Sequence, residues 1–313
     1  MKTYSIGRDL GCDVVVNDTT DVVSRRHARF FCGVQYNTLK NSHKYENIRI
    51  FAQNLKNTNM KDYLRKLHVL RLFSLQDATE ITGNESTAKS MLAAAIRNGM
   101  VCRVKSNLYA VTDLATSQCI ANKFEIASHI SETACVAYHS AMEYHGLGHQ
   151  LFNEVTVFSA SSFRPFDFDG LVYVRRQPTI QDGVVTPLMN SSVRVTDLER
   201  TIIDCIDRIK YAGGVEELLN NLSSVSYVAE IKLLTYLDAY GKASLYQKTG
   251  FLLSRYRKQW RLSESFFRHC KANIGKSTCY LAEPSGNTKY DAEWRLCLSP
   301  GLSELKEKGG SYV

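Results

Sequence analysis

Apolar positions along this chain change their period several times, and each change marks an element. From Met60 they recur at three and four residues: Leu64, Leu67 and Leu70 in MKDYLRKLHVLRLF share a helical side, with His68 and Arg71 beside them. SLQDATEITG reads as a short helix in which Ser74 and Asp77 form a capped start and Gly83 the stop. In NESTAKSMLAAAIRNG, Asn84 is the N-cap and Gly99 the left-handed exit, while Ala88, Met91, Leu92, Ala95 and Ile96 keep an amphipathic spacing. The other face of that helix carries Ser86, Thr87, Lys89, Ser90 and Arg97. MVCRVKSNLYAVT then gives two short strands around Lys105-Ser106-Asn107, a hairpin with a basic tip.

Further on, a linking helix is expected from about Leu114 to Ser131. SETACVAYHSAMEYHGLGHQLFNEVTVFSA reads as helix, Gly-rich turn and strand, and GLVYVRRQP as another strand. VRVTDLERTIIDCIDRIKYAGGVEELLNNL predicts two helices, Ala229 to Tyr256 is again amphipathic and helical, and CYLAEPSGNTKYDAEWRLCLSP predicts a terminal hairpin or strand pair. The first 35 or so residues read instead as strands and turns, with β-branched runs at Val14–Val16 and Val22–Val23 broken by Asn, Asp and Gly. These patterns predict an α/β (α+β) chain: residues 1–36 as a partial N-terminal piece, 37–59 as a linker, 60–114 as a small helical domain with a hairpin, and 115–313 as a larger mixed α/β domain.

Composition narrows the classes. The 313 residues are 44% apolar and 22% charged, as in ordered globular domains. No run of about 18 apolar residues exists, so a membrane-spanning helix is not expected. Acidic residues interrupt the opening MKTYSIGRDLGCDVVV, so no secretory signal is expected and the cytoplasm is the expected compartment. Nine cysteines, none in a CxxC pair, fit reduced thiols used as small apolar fillers better than disulfides or a zinc site.

The net charge of +8 is unevenly placed: residues 1–114 carry +7, 115–253 carry −4, 254–276 carry +6 and the tail −1. Positive charge beside a helical domain is what a polyanion-binding surface needs. Helix, short helix, turn, longer helix and basic hairpin is also the order of a winged helix-turn-helix. Its exposed helix would read base edges through Ser86, Thr87, Lys89, Ser90 and Arg97, with Arg103, Lys105 and Asn107 on the wing. The competing reading is the same fold used only for protein contacts. A second basic cluster, Arg255, Arg257, Lys258, Arg261, Arg268 and Lys271, interleaves with Trp260, Phe266 and Phe267, which points to a phosphate or partner contact.

Two resemblances follow from particular residues. Ile6-Gly7-Arg8 and Ser24-Arg25-Arg26-His27-Ala28 resemble the opening of a forkhead-associated (FHA) phosphopeptide-binding domain. That resemblance implies phosphothreonine contacts by Arg8 and Ser24, although no later Asn-Gly-Thr loop is found. Tyr138-His139-Ser140-Ala141, His145-Gly146-Leu147, the run Val195-Thr196-Asp197-Leu198-Glu199-Arg200-Thr201-Ile202-Ile203-Asp204, Gly213-Gly214 with Glu216 and Glu217, and Gly250-Phe251-Leu252-Leu253 together resemble the AbiEi family of antitoxins from type IV toxin–antitoxin systems. This resemblance spans about Met60 to Leu298. It implies an N-terminal DNA-binding domain that represses its own operon at inverted repeats, and a C-terminal domain that counters a nucleotidyltransferase-type toxin.

Other chemistry is thin. Asp167 and Asp169 form a DxD pair of the kind that holds Mg²⁺ for nucleotidyl transfer, but no Gly-Ser phosphate turn or third carboxylate accompanies it. His145 and His149 have metal-ligand spacing, yet Gly146 and Gly148 favour a turn there. His139 fits a hydrogen-bonded core position. Asp197 can cap the helix that Arg200 and Asp204 then brace as an i, i+4 pair, either as a fold-stabilising network or as part of a toxin-facing surface. The chain therefore reads as a non-enzymatic repressor and antitoxin, without a cofactor or metal. Its expected partners are operator DNA and a cognate toxin, and no membrane. A nucleotidyltransferase-like enzyme using the DxD pair and a phosphothreonine-binding scaffold are the alternatives.

Overall fold

The computed structural model describes residues 58–113, 115–283 and 287–299, together with strands β1 (Tyr4–Ser5) and β2 (Asp13–Val14), an antiparallel pair. The chain divides into two compact units, residues 1–122 and 123–313. Among the described residues it is a mixed α/β protein with ten α-helices.

In the first unit, α1 (Thr58–Leu70) does not run on into Leu72 as its apolar period suggests. Arg71 turns out of the helix at φ +63°, and Leu72–Phe73 becomes strand β3. Both side chains of that strand are buried, which the helical reading had no way to place. Helix α2 (Leu75–Thr82) begins with the expected capping box: the Ser74 hydroxyl accepts from the Asp77 N–H, and the Asp77 carboxylate accepts from the Ser74 N–H. Helix α3 (Glu85–Arg97) is capped by Asn84, whose Oδ1 accepts from the Thr87 N–H at 3.0 Å. Strands β4 (Val101–Lys105) and β5 (Leu108–Val111) form the expected hairpin, and β3 pairs with β5 to complete a three-stranded sheet. The core beneath is Tyr63, Leu67, Phe73, Ala78, Ala88, Leu92, Ala95, Val101 and Val111.

The expected linking helix is shorter than its pattern. Residues 115–118 form an exposed turn braced by Asp113, whose Oδ1 accepts from the N–H groups of Ala115 and Thr116. Helix α4 occupies Lys123–His129 and opens the second unit. There the elements run β6 (Cys135–Val136), α5 (Tyr138–Tyr144), β7 (Glu154–Phe158), β8 (Phe166–Phe168), β9 (Leu171–Arg176), β10 (Val184–Val185) and β11 (Val195–Thr196). They make one six-stranded sheet in the order β10-β11-β6-β7-β9-β8, parallel at β11/β6 and β7/β9.

There follow α6 (Leu198–Asp207), a 3-10 turn (Ile209–Ala212), α7 (Val215–Ser224), α8 (Glu230–Tyr240), α9 (Ala243–Ser254) and α10 (Glu264–Ala272), whose apolar side chains share one core with Cys135 and Phe158 of the sheet. The single helical stretch expected over Ala229 to Tyr256 is two helices, broken at Gly241 with φ +58°. Gly214, at φ +96° and ψ −178°, starts α7 in a conformation open essentially to glycine alone. The expected terminal strand pair is a three-stranded sheet of β12 (Cys279–Tyr280), β14 (Leu296–Leu298) and β13 (Lys289–Asp291). No described helix is long and apolar enough to cross a membrane.

Candidate functional site

Helix α3 turns two different faces outward and inward. Ala88, Leu92 and Ala95 are buried at one side, and Ser86, Thr87, Lys89, Ser90, Ala93 and Arg97 are exposed. Ser86, Lys89, Ser90, Ala93 and Arg97 recur at helical spacing, so they form one continuous stripe of short and basic side chains, polar except at Ala93. Lys89 pairs with Glu85 one turn earlier at 2.5 Å, with both side chains 60% exposed. The same contact holds the Glu85 carboxyl below its usual pKa. The Ser90 hydroxyl donates to the Ser86 carbonyl at 3.0 Å.

On the hairpin, Arg103 is exposed and its Nε donates to the Lys105 carbonyl at 3.4 Å, where the β4/β5 register shifts. Lys105 is half-buried, and that burial lowers its ammonium pKa. Asn107, expected to reach a ligand, does structural work. It sits at φ +62° in the tip, and its Oδ1 accepts from the Leu75 N–H at 3.0 Å, at the start of α2.

The second basic cluster is partly neutralised. Arg257 pairs with Glu264 at 2.7 Å and lies over the Phe267 ring, and Lys271 pairs with Glu293 at 2.8 Å and lies over Trp294. Arg255 is half-buried, whereas Lys258, Arg261 and Arg268 are exposed. Trp260, Phe266 and Phe267 do not interleave with these charges at a surface. All three are core residues, and the Trp260 indole donates to the Val225 carbonyl at 2.9 Å.

The DxD pair is not a shared-face carboxylate pair. Asp169 and Gly170, at φ +52° and +75°, are the two-residue turn between β8 and β9. Asp167 stands exposed on β8, the edge strand. Two positive φ values in an Asp-Gly tip make a primed hairpin turn, and that local geometry accounts for Asp169. Among the described residues no group of three or more His, Cys, Asp or Glu side chains is placed to hold a metal ion. His145 and His149 do not converge: the first bonds the Thr196 carbonyl at 2.8 Å, the second the Ser224 hydroxyl at 2.9 Å.

The Asp197–Asp204 run is a buried network. Asp197 Oδ1 accepts from the Arg200 N–H, and its Oδ2 accepts from Lys232 Nζ at 3.0 Å and Tyr236 OH at 2.7 Å. Arg200, fully buried, donates from Nε to Asp204 at 2.7 Å and from its terminal nitrogens to the carbonyls of Asp182 and Ile180. Tyr240 donates to the same Asp204 oxygen. Burial outweighs the Arg200 charge and these hydrogen bonds, so the Asp204 carboxyl is pushed up to about 6. Nearby, the buried Glu217 Oε1 takes the N–H groups of His149 and Gln150 and bonds His139 Nε2 at 3.1 Å. Burial opposes its ionisation, but those donors hold its pKa below the usual value. Tyr236, Tyr240 and Lys232 complete this network without any signal in the motif itself. Arg8 and Ser24 lie outside the described residues.

Residues 4–60 match the family model of the FHA domain, a span that covers Arg8, Ser24 and the segment read as a linker. No curated protein matches the chain. Among solved structures, the crystal structure of RV2827C protein from Mycobacterium tuberculosis is similar with a TM-score of 0.54. That likeness covers 81% of this chain and 95% of the other at 13% identity, a likeness of fold alone.

Proposed function

We propose that this chain is a DNA-binding autorepressor and antitoxin of a type IV toxin–antitoxin operon, in which the first unit is a winged helix-turn-helix that reads operator DNA. The observation that carries the DNA reading is the exposed stripe on α3. Ala88, Leu92 and Ala95 anchor the helix from below, which leaves Ser86, Thr87, Lys89, Ser90 and Arg97 facing outward. A helix with short polar and basic side chains fits the major groove, where such groups meet base edges and phosphates. The Lys89–Glu85 pair is exposed on both sides, so solvent screens it and it exchanges readily for a phosphate. Arg103 on β4 supplies a further phosphate contact from the wing.

Resemblance of the larger unit to AbiEi antitoxins supports the second half of the reading, countering a nucleotidyltransferase-type toxin. Under it, the Asp197–Asp204 run holds the domain together, because its side chains are turned inward. Fluorescence anisotropy on the DNA upstream of the chain's own gene, across a salt series, tests the repressor half. Tight, sequence-selective binding is expected, with Lys89→Ala/Arg97→Ala lowering the salt slope by about 0.9 per lost phosphate contact. Weak binding indifferent to sequence and to the substitutions would overturn it.

One observation favours a second reading, recognition of phosphothreonine through Arg8 and Ser24: the FHA match over residues 4–60. Binding of a phosphothreonine peptide but not its unphosphorylated twin, lost in Arg8→Ala, would support it. Equal binding of the two peptides would end it.

A further inference from the structure

The terminal sheet carries two tyrosines in one row on its outer face. Tyr280 in β12 and Tyr290 in β13 are both register partners of Cys297 in the central strand β14. Directly opposed residues project to the same side of a sheet, so Tyr280, Cys297 and Tyr290 share one face. The other face takes Leu296 and Leu298, both buried in the core of the second unit. That leaves the row in solvent, with Tyr280 48% and Tyr290 52% exposed and Cys297 half-buried between them. Two strand spacings, about 10 Å, separate the tyrosine backbones. Elsewhere in the unit, Tyr236, Tyr240, Tyr246 and Tyr256 donate their hydroxyls to protein acceptors. Among the described residues, Tyr280 and Tyr290 make no such bond and no contact with another ring. The exposed charge beside the row is mainly positive. Lys276 and Lys289 are exposed next to the strands, and Arg295, half-buried just before β14, uses Nη1 on the Gly275 carbonyl at 2.8 Å and keeps further N–H groups. Of the exposed carboxylates there, Glu293 is already paired with Lys271 at 2.8 Å, which leaves Glu283.

We propose that this face is a stacking platform for single-stranded nucleic acid, with one base on Tyr280, another on Tyr290, and the phosphates held by the neighbouring cations. Every base has a π-face, so aromatic rings set on an open sheet take unpaired bases with little regard to sequence. A duplex keeps its bases stacked on one another and offers these rings nothing to stack on. The positive surroundings supply the complementary term, because a polynucleotide brings one negative charge with each nucleotide. An aliphatic patch would favour a protein partner equally well, whereas two unpartnered tyrosine rings bordered by lysine and arginine favour a base and its phosphate. The site is independent of operator reading, which rests on α3.

Fluorescence anisotropy of the full chain on labelled RNA and DNA strands of about 12 nucleotides, of mixed sequence unable to pair, tests this. Binding of either strand supports the platform, and the tighter of the two shows which sugar it prefers. Tyr280→Ala and Tyr290→Ala should each weaken that binding by about fivefold or more, the lower end of what stacking one base on an aromatic ring contributes. Tyr280→Phe/Tyr290→Phe keeps both rings and should stay within about twofold of the wild type. Lys89→Ala/Arg97→Ala should leave single-strand binding unchanged, and the tyrosine variants should leave duplex binding unchanged, so failure of one site is distinguishable from failure of the other. No binding of either strand by the wild-type chain would overturn the proposal. So would alanine variants that bind as tightly as the wild type, a phenylalanine variant as weak as the alanine ones, or single-strand binding lost with Lys89 and Arg97.

Discussion

Arg200 is buried completely, and every part of its guanidinium is answered inside the protein: Asp204 at Nε, two backbone carbonyls at the terminal nitrogens, and the rings of Phe158 and Tyr240 alongside. Removing one member of such a set leaves the other charge in a medium that solvates it poorly. Arg200→Met should therefore destabilise the fold by roughly 3–5 kcal/mol in urea unfolding, while Arg200→Met/Asp204→Leu recovers a good part of that loss. A double variant no better than the single one would mean that the carbonyl and ring contacts, not the ion pair, carry the cost. Asp204 also sets a pH dependence. Its folded-state carboxyl is raised to about 6, above the unfolded value, so the folded chain binds the extra proton. The stability this group contributes is complete below about pH 4, falls as pH rises towards 6, and is level above. The difference between wild type and Asp204→Asn should then fall with a slope of at most about 1.4 kcal/mol per pH unit in that window. A difference that is flat across it would contradict the raised carboxyl. The Asp197 cap and the Arg200–Asp204 pair are local, one helical turn apart, and were readable as sequence. Lys232, Tyr236 and Tyr240 stand 35, 39 and 36 residues from the carboxylates they serve, a distance that only the packing of α8 on α6 closes.

Helix ends and hairpin tips followed from their residues because capping is a matter of three or four neighbours. Ser74, Asp77 and Asn84 make the bonds their spacing predicts. What the pattern missed depended on partners far away. Leu72 and Phe73 continue a helical period, yet an edge of β5 is available to them and burying both in a strand wins. Asp167 and Asp169 look like metal ligands until the turn between β8 and β9 claims the second. Gly250 belongs with these distant effects. It lies within α9, and a Cβ there would sit 2.0 Å from the Trp294 ring, whose edge rests on the helix backbone. Gly250→Ala should cost about 1–3 kcal/mol or more through overpacking, even though alanine is the better helix former. Trp294→Leu in the Gly250→Ala background should recover part of the loss, and simple additivity of the two substitutions would show that the ring is not the obstacle. Asn107 makes a related point about α2 and the hairpin. Its bond to the Leu75 N–H resembles a cap supplied from another element, so Asn107→Ala should lower stability by about 1 kcal/mol. Under the DNA-binding reading, the salt slope should stay where it was, because the Asn107 Oδ1 already accepts from the Leu75 N–H.

Charge is the property that spans the chain, and it separates two basic regions that sequence alone ranks alike. Residues 1–114 carry +7 and residues 254–276 carry +6. Side-chain placement distinguishes them. On α3 the basic groups share a stripe with short hydroxyl side chains, and the Lys89–Glu85 ion pair there is exposed on both sides. In the second region, Arg257 and Lys271 are each tied both to a carboxylate and to an aromatic ring, which fixes them as part of the packing of α10 and the terminal sheet. Lys258, Arg261 and Arg268 remain exposed beside them, and isolated exposed charges are screened within about 10 Å at ordinary salt. If operator binding belongs to the first unit, counterion release should come from that unit alone. Lys258→Ala/Arg261→Ala/Arg268→Ala should leave the slope of log affinity against log salt unchanged to within about half a unit. Lys89→Ala/Arg97→Ala should flatten it by close to two contacts' worth, about 1.8. The two slopes are measured on the same DNA with the full chain, so a folding defect is seen separately as a loss of active fraction. A drop of about 2.7 in the triple variant would instead place three phosphates on the second region and make the larger unit part of the DNA interface.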